Sequence, residues 1–422
     1  MHFMNRLYAV LIFALVAILL VNSGSRADLP GDSSTSSPAQ LTTYNPPGYY
    51  VIHTDESLDM TREIWLHMNF VAESYEERLH DIFGGTVTQK LPFYIFTNPS
   101  DYYAAGGPEG SIGVFMINFE DQRLMAIGGN QVTHQMWHVL QHEGFHQFTF
   151  AMIGGYLPPW ANEGLAEYFG EGLFTGDSFV TGWIDPDRLE RLKYEINNKM
   201  FKSIQDMREM SYDQWNDVLM GVNYDEAWSM IYFLAWANNQ RYAQPFTQYL
   251  TLFHQGMSSD QAWNRVFGAN SDADFERLWR QYWLNMPDDP TALLFAKTQT
   301  ATFTSFLARA YLNGQRFSGM QEFVNDASKG SLKSFELPNM LWLPNDMLQT
   351  ALDNAAGVGE WGMEFDDRKQ PSIICVLPDG TKLIGRFELG DERIDSVTVT
   401  VVPSPEAQKP SDPLETVGNS GG

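Results

Sequence analysis

The sequence predicts an α+β protein: a small mixed β-sheet with a long helix first, a mainly helical middle, and a small β-rich module near the C-terminus. Three observations predict it. Short runs of β-formers alternate with helical stretches over residues 48–130. Apolar residues then recur at helical spacing over 186–286, where Trp215, Trp228, Trp236, Trp263, Trp279 and Trp283 fall on amphipathic segments and read as helix-on-helix core. Near residue 370 the pattern changes to apolar β-type runs around a Pro-Asp-Gly turn.

The chain has 422 residues, 44% hydrophobic and 14% aromatic, enough for two or three domains with a sizeable core. Asp and Glu number 52 against 27 Lys and Arg, a formal net charge of −25. With no basic patch to displace phosphate counterions, this balance argues against a nucleic-acid partner. A single cysteine, Cys375, lies in an apolar run and reads as an inert core thiol. One cysteine excludes an intrachain disulfide framework, so any metal must be held by His and carboxylate.

Arg6, fifteen mostly apolar residues from Leu7 to Val21 and then Ser25-Arg26-Ala27 predict an export signal over residues 1–27, cleaved after Ala27. The protein is then secreted or periplasmic; an uncleaved segment would instead anchor it to the membrane facing outward. Residues 28–46, rich in Ser, Thr, Pro and Gly, read as a disordered linker. A strand follows at 49–52, then a helix over 58–83 stopped by Gly84-Gly85. Strands follow at 91–96 and 111–118, the latter pairing with 124–127. Helical spacing over 131–152 ends at Gly154-Gly155, and Pro158-Pro159 opens another helix to about Phe169. These elements give an α/β subdomain over 47–155 and a helical one over 156–290. Residues 291–370 read as a mixed connector of short helical stretches. Strands at 372–377, 381–389 and 397–402 form a β-rich module over 371–402, and 403–422 a disordered tail.

The segment Gln141-His142-Glu143-Gly144-Phe145-His146 contains HExxH within a helical pattern. Residues four apart share a helix face, so both imidazoles can reach one ion while Glu143 lies beside a water on it. Sixteen residues separate His146 from Glu163, in Trp160-Ala161-Asn162-Glu163-Gly164-Leu165-Ala166-Glu167. A carboxylate from this second helix would complete two His and one Glu and leave the fourth position open, as catalytic zinc requires.

With these two blocks in order, the sequence resembles the gluzincin metallopeptidases, the clan of thermolysin and aminopeptidase N, and most closely secreted bacterial peptidase-MA-like domains. The matching residues are His142, Glu143 and His146, then Trp160, Asn162, Glu163, Gly164 and Ala166. The resemblance covers residues 48–286. It implies a zincin-like fold, Zn2+ held by His142, His146 and Glu163, and Glu143 as general base. Glu167, one turn after Glu163, could also reach the ion; the motif favours Glu163 and gives Glu167 the role of accepting the distal N–H of a ligand histidine. The aminopeptidase motif for a substrate amino terminus is absent, so exopeptidase specificity is not inherited.

The chemistry implied is water attack on a peptide carbonyl, with Glu143 taking the proton. Tyr224 is the candidate donor to the oxyanion, in competition with Tyr168 and Tyr212, and the strand before residue 118 a candidate cleft edge for an extended substrate. Gly144 inside the helix calls for close approach of a neighbour, expected to be the helix of Glu163. His134 and His138 continue the spacing upstream but read as bystanders, and His53, His67, His80 and His254 as ordinary satisfied histidines. The partner is therefore a peptide or protein substrate, with no membrane contact beyond the N-terminus. A non-catalytic zinc-containing envelope binding or scaffold protein on the same fold is the alternative. Natural substrate, endo- or exo-cleavage and oligomeric state are not encoded in these patterns.

Overall fold

The β-formers of the N-terminal part build one mixed sheet whose inner face is already visible as alternation. The computed structural model describes residues 40–117, 122–129, 133–217, 220–269, 271–332, 337–338 and 341–404. The export segment expected over 1–27, residues 28–39 of the linker and residues 405–422 of the tail lie outside these. The described chain forms two units, one up to Thr291 without 175–177, the other comprising 175–177 and the residues from Ala292.

In the first unit the sheet contains β1 (Thr42–Tyr44), β2 (Tyr50–Thr54), β3 (Leu91–Phe96), β4 (Gly113–Ile117) and β5 (Gln122–Ile127), in the order β1-β2-β3-β5-β4. The parallel core β2-β3-β5 is flanked by antiparallel β1 and β4. Tyr50, Ile52, Phe93, Ile95, Leu124 and Ala126 are fully buried. One expectation fails here: Thr42–Tyr44, inside the stretch read as linker, is an edge strand paired with Ile52–Thr54. Its Thr and Tyr residues are β-formers hidden in a Pro- and Ser-rich composition.

Helix α1 (Leu58–Phe83) starts at Ser57, whose side chain accepts from the Met60 N–H, and ends at Gly84 in the left-handed region. After α2 (Pro99–Ala104) between β3 and β4, α3 (His134–Ile153) is capped by Thr133 and terminated by Gly154, again left-handed. Every residue from Val139 to Thr149 is buried, as for a helix packed on all sides. Helix α4 (Pro159–Gly170) has proline at its first position.

The reason for Gly144 differs from the one expected. A Cβ there would lie 2.6 Å from Cε of Met68 on α1 and 3.3 Å from the Tyr50 hydroxyl on β2, so α1 and the sheet, rather than α4, require it. The tight glycine of α4 is Gly164, whose Cβ would lie 2.6 Å from the Ala227 carbonyl oxygen. Met68 can swing its terminal methyl aside; a helix backbone cannot. Gly164→Ala is expected to destabilise by about 1–3 kcal/mol, and Gly144→Ala by less, measured by denaturant unfolding. Equal losses would show that backbone proximity at Gly164 does not limit the packing.

The middle of this unit is helical as expected, after a short hairpin of β6 (Leu173–Phe174) and β7 (Phe179–Val180): α5 (Pro186–Asn197), α6 (Ile204–Glu209), α7 (Tyr212–Asp217), α8 (Met220–Gln240), α9 (Ala243–His254), α10 (Ser259–Phe267) and α11 (Asp272–Leu284). Trp215, Trp228, Trp263, Trp279 and Trp283 are core residues. Trp236 is not: it is 37% exposed. It directly precedes the break in α8, where Asn238, Asn239 and Gln240 all adopt positive φ.

In the second unit the connector reading of 291–370 gives way to regular structure. Helix α12 (Ala292–Leu312) has 21 residues and is followed by α13 (Met320–Ser328) and α14 (Asn345–Ala355). Its threonines obscure it in sequence, because β-branched hydroxyl residues are weak helix formers. Here Thr300, Thr302 and Thr304 return their hydroxyls to carbonyls four residues back. The module is a four-stranded antiparallel sheet, β8 (Glu360–Phe365), β9 (Pro371–Val376), β10 (Lys382–Gly390) and β11 (Arg393–Val402), in the order β11-β10-β9-β8. It thus has a strand before residue 371 that the sequence pattern leaves in the connector. Cys375 is fully buried on β9. No helix among the described residues is long and apolar enough to cross a membrane.

Candidate metal centre

Because α3 carries His142 and His146 one turn apart and α4 packs across it, both imidazoles meet Glu163 in a buried cluster. Nε2 of His142 and Nε2 of His146 are 3.1 Å apart, and Glu163 Oε2 lies 3.4 Å from each. These residues form one of two His/Glu groups, among the described residues, that could hold a metal ion. The other ring nitrogens are engaged: His142 Nδ1 is 2.9 Å from Glu167 Oε1, and His146 Nδ1 is 3.1 Å from the Asn162 carboxamide. A neutral imidazole has one N–H and one lone pair. With Nδ1 of His142 donating to Glu167, Nε2 is the nitrogen turned to the cluster, and its lone pair becomes available once that nitrogen is deprotonated.

The electrostatics of the cluster favour a positive charge at its centre. Burial opposes charge on His142, but the carboxylates of Glu163 and Glu167 beside it lift its pKa to about 10, so in the metal-free protein Nε2 holds a proton that a bound cation would replace. Burial likewise opposes charge on Glu163, yet the two imidazoles hold its carboxyl down to about 2. Glu163 Oε2 is buried and makes no well-oriented hydrogen bond; the two Nε2 atoms at 3.4 Å stand to it as ion-pair contacts.

Glu143 turns toward the sheet. Its Oε2 accepts the Phe115 N–H of edge strand β4 at 2.8 Å, and Oε1 is buried with no partner. Burial raises its pKa, only partly offset by the adjacent histidines. Of the two acids on α4, Glu163 stands beside both Nε2 atoms and Glu167 behind His142.

The candidate oxyanion donors separate by position. Tyr168 is committed elsewhere, donating to Thr181 Oγ1 and accepting from Trp236. Tyr212 donates to the Leu157 carbonyl at 3.2 Å. The Tyr224 ring stands 6.1 Å from the His142 ring and edge-on to Trp215. Burial, reinforced by Glu163, raises the pKa of Tyr224 well above the ordinary phenol value, so its hydroxyl remains a donor.

Three residues of this region carry roles that the sequence pattern does not show. His138 is no bystander: its ring lies 3.5 Å from both Glu167 Oε1 and Glu171 Oε1, and with His142 and Glu167 it forms the second His/Glu group. Arg188 on α5 ion-pairs with Glu167 and Glu171. Its one signal in sequence is a cation in the first turn of a helix, where acids are favoured. Gln141, directly before the first histidine, donates its carboxamide N–H groups toward the carbonyls of Phe169, Gly170 and Gly172 and joins α3 to the end of α4. No curated protein matches this chain. Residues 138–252 match a family described as a protein of unknown function, DUF1570, and this stretch holds every residue of the cluster from His138 through Glu167 and Arg188 to Tyr224.

Proposed function

We propose that the protein is an exported zinc-dependent metallopeptidase that hydrolyses peptide bonds with Glu143 as general base. The observation that carries this reading is the triangle of 3.1, 3.4 and 3.4 Å among His142 Nε2, His146 Nε2 and Glu163 Oε2. Tetrahedral ligands at about 2.0–2.1 Å from zinc lie about 3.3–3.4 Å from one another, so these three atoms suit three corners with the fourth open. Two imidazoles, deprotonated at Nε2 as zinc binds, and one carboxylate are also the donor chemistry of catalytic zinc.

When bound, zinc supplies a Lewis acid and brings the pKa of water toward neutrality. The rest falls to the chain. His142, His146 and Glu163 would hold the ion. Glu143, fixed through Oε2 by the Phe115 N–H, keeps Oε1 to accept the proton of the attacking water and pass it to the leaving amine. Its raised pKa brings it closer to neutral pH, where a general base works best. Strand β4, at the sheet edge beside Glu143, would receive an extended peptide as an added strand, and Tyr224 would donate to the developing oxyanion.

Elemental analysis of the protein purified without chelator tests the metal. About one zinc per chain is expected, lost in His142→Ala. Wild-type protein free of zinc, or a His142→Ala variant that retains it, would reject this reading.

A further inference from the structure

We infer that Arg188 is the positioning residue of this centre: it fixes Glu167 as acceptor of the His142 Nδ1–H and thereby commits Nε2 of that histidine to the metal. The inference rests on the zinc reading proposed for this site.

Arg188 is 5% exposed and serves three acids at once. Nη2 lies 2.7 Å from Glu167 Oε2, Nη1 2.7 Å from Glu171 Oε1, and Nε 2.9 Å from Asp225 Oδ1. The guanidinium carbon sits 4.4 Å above the Trp228 ring, so the side chain is held from its face as well as its edges. An arginine in such a place is a permanent cation with a rigid fork of donors.

The consequence falls on Glu167. Arg188 occupies its Oε2, which leaves Oε1 for imidazole. Oε1 lies 2.9 Å from His142 Nδ1 and 3.5 Å from His138 Nε2. Without the guanidinium, Glu167 and Glu171 would be buried acids with two histidines beside them, a second cation site competing for His142 through Nδ1. The positive charge 2.7 Å from Glu167 repels a second cation there. His142 therefore keeps its hydrogen on Nδ1 and offers one lone pair, toward His146 and Glu163. The hydrogen bond behind a ligand histidine fixes its tautomer and ring orientation, and its loss costs about 10- to 100-fold in metal affinity. Arg188 acts one step further out, through that bond.

Zinc affinity by chelator competition and the visible spectrum of the cobalt-substituted full chain test this without recourse to activity. Arg188→Met and Glu167→Gln are each expected to weaken zinc binding about 10- to 100-fold and to alter the cobalt spectrum. The double variant should be no weaker than the weaker single one, because both act through the same bond. Arg188→Lys keeps the charge and loses the fork, so it should recover part of the affinity and safeguards the test if the methionine variant does not fold. Wild-type zinc affinity and cobalt spectrum in Arg188→Lys and in any folded Arg188→Met, or additive losses in the double variant, would overturn the inference while leaving the zinc centre intact. A wild-type protein that binds no zinc would bring down both.

Discussion

Glu143→Gln is expected to lower the hydrolysis of a fluorescent casein or a mixed peptide library about 100- to 10,000-fold, the usual contribution of a positioned general base, while zinc content stays at the wild-type level. The substitution isolates the proton transfer. Glutamine has the volume of glutamate, and its carboxamide oxygen can still accept the Phe115 N–H that now binds Oε2. What it loses is the basic lone pair at Oε1, which has no partner in the protein. The three atoms of the proposed ligand triangle belong to other residues, so metal content should not follow activity downward. If casein and peptide turnover persist at the wild-type rate with zinc bound, the peptidase mechanism is wrong. The envelope binding reading then takes its place.

The parts of the fold legible in sequence are those with one dominant local signal. Helix α1 shows its stop at Gly84, α3 at Gly154 and α4 its start at Pro159, since a left-handed cap or a proline at the first turn is a property of one or two residues. The strands around β3 and β5 show as apolar runs because both faces of the sheet centre are covered. What stays hidden depends on context. Residues Thr42–Tyr44 are too few to form a pattern and become a strand only by pairing with β2. The threonines of α12 speak against a helix until burial supplies carbonyls for their hydroxyls. The site divides the same way. HExxH and the block around Glu163 sit on single helices, so spacing exposes them. His138 and Arg188 gain their roles from the packing of α3, α4 and α5, which no local spacing encodes.

Gln141 is visible in the motif segment without any function attached, and its replacement by methionine is expected to be the most damaging single change to the scaffold of the site. The side chain is 1% exposed. Its Nε2 lies 3.1, 2.7 and 3.2 Å from the carbonyl oxygens of Phe169, Gly170 and Gly172, while Oε1 is 2.8 Å from Nε2 of His67. Burial pushes the pKa of His67 down to about 3, so that ring is neutral and donates its N–H to the carboxamide. The carbonyls belong to the C-terminal end of α4 and the residues beyond it, where the helix no longer supplies a donor for each carbonyl. Methionine fills the same space and offers these groups no partner, so the Phe169 carbonyl keeps the Gly172 N–H at 2.9 Å while the Gly170 and Gly172 carbonyls and the His67 N–H lose the carboxamide. Buried polar groups left unpaired cost about 1–3 kcal/mol each. Relaxation and water will recover part of that, leaving a loss of about 2–5 kcal/mol. At about 2–4 °C per kcal/mol for a unit of this size, the melting temperature should fall by roughly 10 °C. Because Glu163 rides on α4 and both histidines on α3, loosening this seam should also weaken zinc binding in the folded protein, whereas Gly144→Ala, which presses on α1, should not. Thermal unfolding of the metal-free chain and zinc titration below the transition separate the two effects. A melting temperature within about 2 °C of wild type would show that the carboxamide does not hold the helices together.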